Sequence, residues 1–206
     1  VSGFYGSGKS HLVKMLRALW VDAEFEDGAT ARGIAKLPQG VSEHLKELSV
    51  QAKRHGGLHA ASGTLGSGAS GSVRLALLRI LFKSAGLPEQ YPVARFVMWL
   101  KHEGIYDQVR QSVESNGYDW QEELDNFYVA EGLHEALVQA KPALFTSPAS
   151  CVETLNNLYP FVQDISSDDM LKAIRQALTT DGKFPLTLIV LDEWIQIGRA
   201  SCRERG

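Results

Sequence analysis

The sequence predicts an α/β fold, and three observations lead to it. A glycine-rich turn, Gly3 to Gly8, opens directly into an amphipathic helix. Near the other end, Leu186-Thr187-Leu188-Ile189-Val190-Leu191 is a nearly all-apolar run followed by Asp192 and Glu193. That pattern reads as a strand buried on both faces and tipped by acids. Between these ends, from Tyr91 to about Thr180, the apolar spacing is almost wholly helical.

The first helix is expected from Gly8 to about Trp20, because Leu12, Met15, Leu16 and Leu19 recur at helical spacing. Asp22 to Gly40 reads as a loop, with Asp27-Gly28 and Pro38-Gln39-Gly40 as turn signals. Val41, Leu45, Leu48 and Ala52 share one face of a helix ending near Arg54, stopped by Gly56-Gly57. Leu58 to Leu65 is a short run of mostly small residues that reads as a strand, and a glycine-serine cluster, Gly63 to Ser72, follows it. Val73 to Ser84 is a strongly apolar helix closed by Gly86 and Pro88.

Within the helical stretch, Phe96, Met98, Trp99 and Leu100 mark a helix ending at Gly104, and Val109 with Val113 a second ending at Asn116-Gly117. Asp119 followed by Glu122 forms a capping box for a third. Ser166 with Asp169 caps a fourth, on which Leu171, Ile174 and Leu178 share a side. Asp181-Gly182 then turns the chain into the apolar strand.

Composition narrows the function classes. The chain has 206 residues and 44% hydrophobic content, enough for a sizeable core. A net charge of −3 with scattered basic residues argues against a dominant nucleic-acid footprint on this segment. No apolar run approaches the ~20 residues that span a bilayer. With no signal peptide and two cysteines that make no disulfide framework, a cytoplasmic protein without membrane partners is expected.

Gly3-Phe4-Tyr5-Gly6-Ser7-Gly8-Lys9-Ser10 matches the P-loop pattern G-x-x-x-x-G-K-[ST] at every fixed position. Glycines let the backbone wrap a phosphate with its N–H groups pointing inward. The helix that follows adds its positive N-terminal end. Gly3, Gly6, Ser7, Gly8, Lys9 and Ser10 are therefore the expected nucleotide-binding set. Lys9 reaches the β- and γ-phosphates, and the Ser10 hydroxyl ligates Mg²⁺. His11 reads by pattern as a packing or polar-face residue and joins the nucleotide set by its place on the first turn. Tyr5, between the glycines, is positioned to cover the nucleotide.

Asp192, at the strand end, is the expected second Mg²⁺ residue, and Glu193 the residue that polarises the attacking water. An acid pair after a strand is by itself a common solvated strand end; the P-loop gives this one its meaning. Neither D-x-x-G after a strand nor N-K-x-D occurs, so ATP is favoured over GTP by elimination.

Other features read as structural. Gly66-Ser67-Gly68-Ala69-Ser70-Gly71 fits G-x-G-x-x-G, but the segment is serine-rich. Glu89, at the spacing for a ribose acid, lies in a Gly-Leu-Pro turn, so a surface loop is the better reading. The six histidines show no metal-ligand spacing, and His59 in the expected strand reads as buried rather than catalytic. Lys53-Arg54-His55 complements a helix C-terminus. Trp99 and Trp120 read as core residues, and Cys151 as a small buried apolar residue rather than a nucleophile.

Val1 to Leu16 resembles the P-loop region of the large ATPases of bacterial phage-defence systems, the phage growth limitation (Pgl) and BREX ATPases. The likeness continues through Asp27-Gly-Ala-Thr-Ala-Arg-Gly33, Gly57-Leu-His-Ala-Ala-Ser-Gly-Thr-Leu65 and Gly86-Leu-Pro-Glu89 to the Leu-Asp-Glu of the acid strand. It thus covers roughly residues 1–196. The resemblance implies an AAA-like P-loop NTPase fold of the additional-strand type. Gly8, Lys9 and Ser10 would then bind phosphate and Mg²⁺, Asp192 would coordinate Mg²⁺, and Glu193 would activate water. It further implies assembly with other phage-defence proteins, an indirect association with DNA, and an oligomer.

The sensor residue and arginine finger of such ATPases would lie beyond this chain. Residues 197–206 resemble a translated sequencing adapter and are expected to be non-native, so Arg199, Arg203 and Arg205 are not taken as finger candidates. In this fold class the sensor strand lies between the P-loop strand and the acid strand, so an incomplete sheet is expected.

The expected organisation is a P-loop core over residues 1–85, a helical insert over 86–182 that supplies partner contacts, the acid (Walker B) strand over 183–196, and the tail. The chain is expected to be a fragment of an ATPase that couples Mg²⁺-dependent ATP hydrolysis to conformational change, with weak turnover by itself. The alternatives are a nucleotide-dependent switch or scaffold with little turnover, and a P-loop kinase. Glu193 beside Asp192 favours hydrolysis over transfer to another acceptor.

Overall fold

The computed structural model of the chain describes residues 8–65 and 72–192. It is a mixed α/β structure dominated by helices: α1 (Lys9–Val21), α2 (Ala31–Ile34), α3 (Gln39–Ala52), β1 (Leu58–Thr64), α4 (Val73–Ser84), α5 (Tyr91–His102), α6 (Tyr106–Ser115), α7 (Trp120–Asp125), α8 (Glu131–Ala140), α9 (Pro148–Leu158), α10 (Ser167–Leu178) and β2 (Leu186–Asp192). No described helix is long and apolar enough to cross a membrane.

The two strands pair in parallel, with Leu58 opposite Leu186 and Thr64 opposite Asp192. Parallel pairing needs a crossover, and here the crossover is the whole helical stretch. α1 packs along both strands, and α4 packs on β1. Gly63 meets Ile80 of α4, and His59 bonds Ser84 at the end of the same helix, so the odd-numbered residues of β1 face α4. Period-two alternation then turns Ala60 and Ser62 toward α1.

Two hydrophobic clusters hold the molecule. The smaller joins Ala61 and Leu65 to Ile80 and Leu81 of α4 and Leu178 of α10. The larger lies among α4–α10, where Phe82, Phe96, Phe127 and Phe145 are fully buried. Phe96 and Phe127 pack with ring centroids 4.8 Å apart. Each such side chain contributes about 1.5–3 kcal/mol on burial, so the larger share of stability rests in the helices. α4 belongs to both clusters, with Leu78 and Phe82 in one and Ile80 and Leu81 in the other. It is the rivet between sheet and helical region.

Local chemistry sets the helix ends. The Ser72 hydroxyl accepts from the N–H groups of Arg74 and Leu75 at the start of α4. Asp119 accepts from Glu122 N at α7, the first half of the expected box. Ser166 accepts from Asp169 N at α10, as its sequence spacing predicts. Each cap stabilises by about 1 kcal/mol. A reciprocal box at α9, Ser147 with Ser150, uses serine where a glutamate or glutamine usually stands and escaped the sequence reading. α8 is capped from a distance: the buried Glu123 of α7 accepts from Leu133 N at 2.7 Å.

Two expectations are corrected. The segment 22–40 is not all loop, because Thr30 caps the single turn α2 and Arg32 fastens it to its neighbours. The acid strand is not buried on both faces: Ile189 is 39% exposed, because it lies beside Ala61, one strand further out than the β1 that carries α4. The apolar face of α1 is also left open, with Leu12, Met15 and Leu16 all exposed. A helix ~10 Å across is wider than two strands ~4.8 Å apart, so the described sheet cannot cover that face.

Candidate functional site

The glycine-rich turn expected to bind phosphate falls mainly on residues outside those described. Gly3, Gly6, Ser7 and Tyr5 lie there, as do Glu193, the Gly66–Gly71 motif and the tail 197–206. Gly8, Lys9, Ser10, His11 and Asp192 are within the described chain.

Gly8 adopts φ +79°, the left-handed region that glycine reaches without a Cβ penalty, and it stands at the N-cap of α1. No side chain caps that end among the described residues, and the first turn carries no acid. The first-turn N–H groups and the positive end of the helix dipole therefore meet no anion from the helix itself. Lys9 begins the helix, while Ser10 and His11 are exposed on its first turn.

The far end of α1 fixes its direction. The Trp20 indole N–H donates to Leu186 O at 3.3 Å, at the start of β2. Since α1 also packs along both strands, it must run back over them, antiparallel to β2. From Trp20 to Lys9 the helix advances ~16 Å. From Leu186 to Asp192 the strand advances ~20 Å. The N-terminal end of α1 and the Asp192 end of β2 thus lie on the same edge of the layer. That edge is where parallel α/β sheets bind ligands, outside the carboxyl ends of the strands.

Arg32 anchors this arrangement, and its role escaped the sequence reading. Its Nε donates to Leu19 O at 2.7 Å and one Nη to Trp20 O at 2.6 Å, so it caps the last carbonyls of α1. The other Nη donates to Leu45 O and Ser49 Oγ of α3. One guanidinium thereby ties the C-terminal end of α1 to α3. An arginine within a turn-rich segment carries no spacing signal that could have shown this.

The remaining reactive groups are quiet. The Ser84 hydroxyl donates to Leu81 O at 2.7 Å, so at His59 Nε2, 2.9 Å away, it acts as acceptor. His59 is therefore the donor and does not activate the serine; burial first, and the Arg17 charge second, lower its pKa. Cys151 is fully buried and its thiol is pushed up to about 11 by burial, which keeps it protonated and unreactive. His134 is buried, bonds Phe127 O, and has its pKa lowered mainly by burial. Trp120 is buried, in line with the core reading, whereas Trp99 is half-buried. No cluster of three or more His, Cys, Asp or Glu suited to a metal occurs among the described residues. A Mg²⁺ held by one hydroxyl, one carboxylate, phosphate oxygens and water needs no such cluster.

No protein-family model matches the chain, and no solved structure matches it.

Proposed function

We propose that the chain binds ATP with Mg²⁺ between the N-terminal end of α1 and the Asp192 end of β2, as the nucleotide-binding part of a P-loop ATPase. The observation that carries this reading is the union of a complete G-x-x-x-x-G-K-S pattern with a left-handed Gly8 heading a helix that runs antiparallel to the acid-tipped strand. The additional-strand P-loop fold, and membership of a bacterial phage-defence ATPase working with other defence proteins and, through them, DNA, belong to the same proposal. They rest on the sequence resemblance.

In this reading the backbone N–H groups around Gly8 and the dipole of α1 hold the phosphates. Lys9 offsets the charge of the β- and γ-phosphates. The Ser10 hydroxyl and the Asp192 carboxylate are hard oxygen donors of the kind Mg²⁺ prefers. Held there, Mg²⁺ would supply positive charge against the charge that develops on the phosphates. Glu193 accepts a proton from water as the water oxygen bonds to the γ-phosphorus and the bond to the β–γ bridging oxygen breaks, giving ADP and phosphate.

Lys9→Ala in the full-length protein is expected to abolish ATP binding in calorimetry, because a cation and its hydrogen bonds to phosphate are lost. An unchanged affinity would defeat the assignment.

A further inference from the structure

We propose that the cleft between α5 and α10 is a second binding site, for a nucleotide-sized organic phosphate with a planar ring. The cleft, open to solvent on one side, has a volume of about 590 Å³, within the range of small-molecule pockets, about 300–1,000 Å³. Its lining divides by chemistry. Arg95 and Arg175 supply two guanidiniums and Gln176 an amide, while Met98, Trp99 and Tyr159 supply the apolar and aromatic wall. No carboxylate lines it.

The two cations are not consumed by the fold. Neither forms an ion pair among the described residues, on a chain whose net charge is negative. Arg95 is instead held over the rings of Tyr91 and Tyr159, 5.6 Å from each centroid. Stacking of this kind fixes a guanidinium without neutralising it. Burial pushes the Tyr159 phenol up to about 12, so it adds no negative charge. Of the nearby acids, Glu103 is paired with Lys141 at 2.6 Å, while Asp169 accepts from the Ser166 hydroxyl at 2.7 Å and lies outside the lining.

One guanidinium held on aromatic rings and a second, free among the described residues, at its side, facing a cavity lined by no carboxylate, favour a phosphate, which accepts their paired N–H groups. The half-buried Trp99 ring beside them favours a flat apolar body, while Tyr159 is buried beneath Arg95. Arg175 is exposed at the rim and half-buried Arg95 lies deeper, so charge is offered along the depth of the cleft. This site is separate from the one proposed at Gly8–Ser10 and does not depend on it.

The test is a titration of AMP, without Mg²⁺, into the full chain carrying Lys9→Ala, followed by tryptophan fluorescence. Saturable quenching is expected, lost on Trp99→Phe and weakened about ten-fold or more by Arg175→Glu. Arg175 is exposed, so that variant should keep its fold, which far-UV circular dichroism checks. Inorganic phosphate and adenosine, each alone, are expected to bind more weakly than AMP. Absence of saturable quenching at millimolar AMP, binding no tighter than that of inorganic phosphate, or an affinity untouched by Arg175→Glu would overturn the proposal.

Discussion

Gly63→Ala is expected to destabilise the protein, although the same exchange stabilises many proteins. A Cβ at position 63 would lie 2.7 Å from Ile80 Cγ1, 3.0 Å from Cδ1 and 3.2 Å from Cγ2. Carbon atoms pack comfortably at ~3.5–4.0 Å, so one side must retreat by roughly 0.8 Å. Ile80 is buried at 7% exposure and stiff at χ1, which leaves it little room to do so. Overpacking of this kind costs about 1–3 kcal/mol. Loss of unfolded-state freedom on replacing glycine returns only about 0.4–1 kcal/mol. The net expectation is a loss of about 0.5–2 kcal/mol by urea denaturation, with an unchanged m-value. Ile80→Ala by itself should cost about 2–5 kcal/mol by leaving a cavity. In the double variant the new methyl group enters that cavity, so the two losses should fall short of additivity by about 1 kcal/mol. A Gly63→Ala protein as stable as the parent, or strictly additive losses, would refute the packing account of α4 against β1. Because Gly63 pairs with Leu191, one residue before Asp192, weaker ATP binding by the same variant is expected as well.

Arg32→Met should cost about 2–4 kcal/mol, since it strips donors from the last carbonyls of α1 and from α3. Arg32→Lys should recover little of this, because one ammonium nitrogen cannot span acceptors served by three separate guanidinium nitrogens; full recovery in a thermal melt would argue against the clamp. Stability should fall as pH drops from 6.5, because His59 and His134 both have pKa values below their ordinary 6.5 and the unfolded chain takes up those protons first. The loss should run until pH passes below the depressed folded values, and His59→Gln with His134→Gln should flatten it in urea titrations at pH 7 and pH 5.5. Asp164, held down to about 2 chiefly by its bond to Arg74, contributes with the same sign but in a lower pH window. Its stabilisation is complete above the ordinary carboxylate range and vanishes only as pH falls through about 2, so Asp164→Asn should leave the step near neutrality untouched. Glu193→Gln in the full-length protein should bind ATP normally yet hydrolyse it far more slowly; equal turnover would remove Glu193 from the chemistry and favour a nucleotide-dependent switch.

By itself the sequence determined most elements, and it carries the pattern on which the proposed phosphate turn rests. Helix α4 runs from Val73 to Ser84 as its pattern predicts, and Ser166 caps α10 where a serine three residues before an aspartate should. These features are legible because caps, breakers and apolar periodicity act within a few residues. Strand β1 was harder to read, since Ala60, Ala61, Ser62 and Gly63 carry little strand propensity; close packing of Ile80 explains why small residues are needed there. Only the tertiary structure decided what depends on residues remote in sequence. It paired β1 with β2, laid α1 antiparallel to the acid strand through Trp20, and spent Arg32 on carbonyls from two helices. It also left Arg95 and Arg175 facing one cavity without a carboxylate. Such contacts are chosen by the balance of burial, charge and chain closure over the whole molecule, and no local pattern encodes that balance.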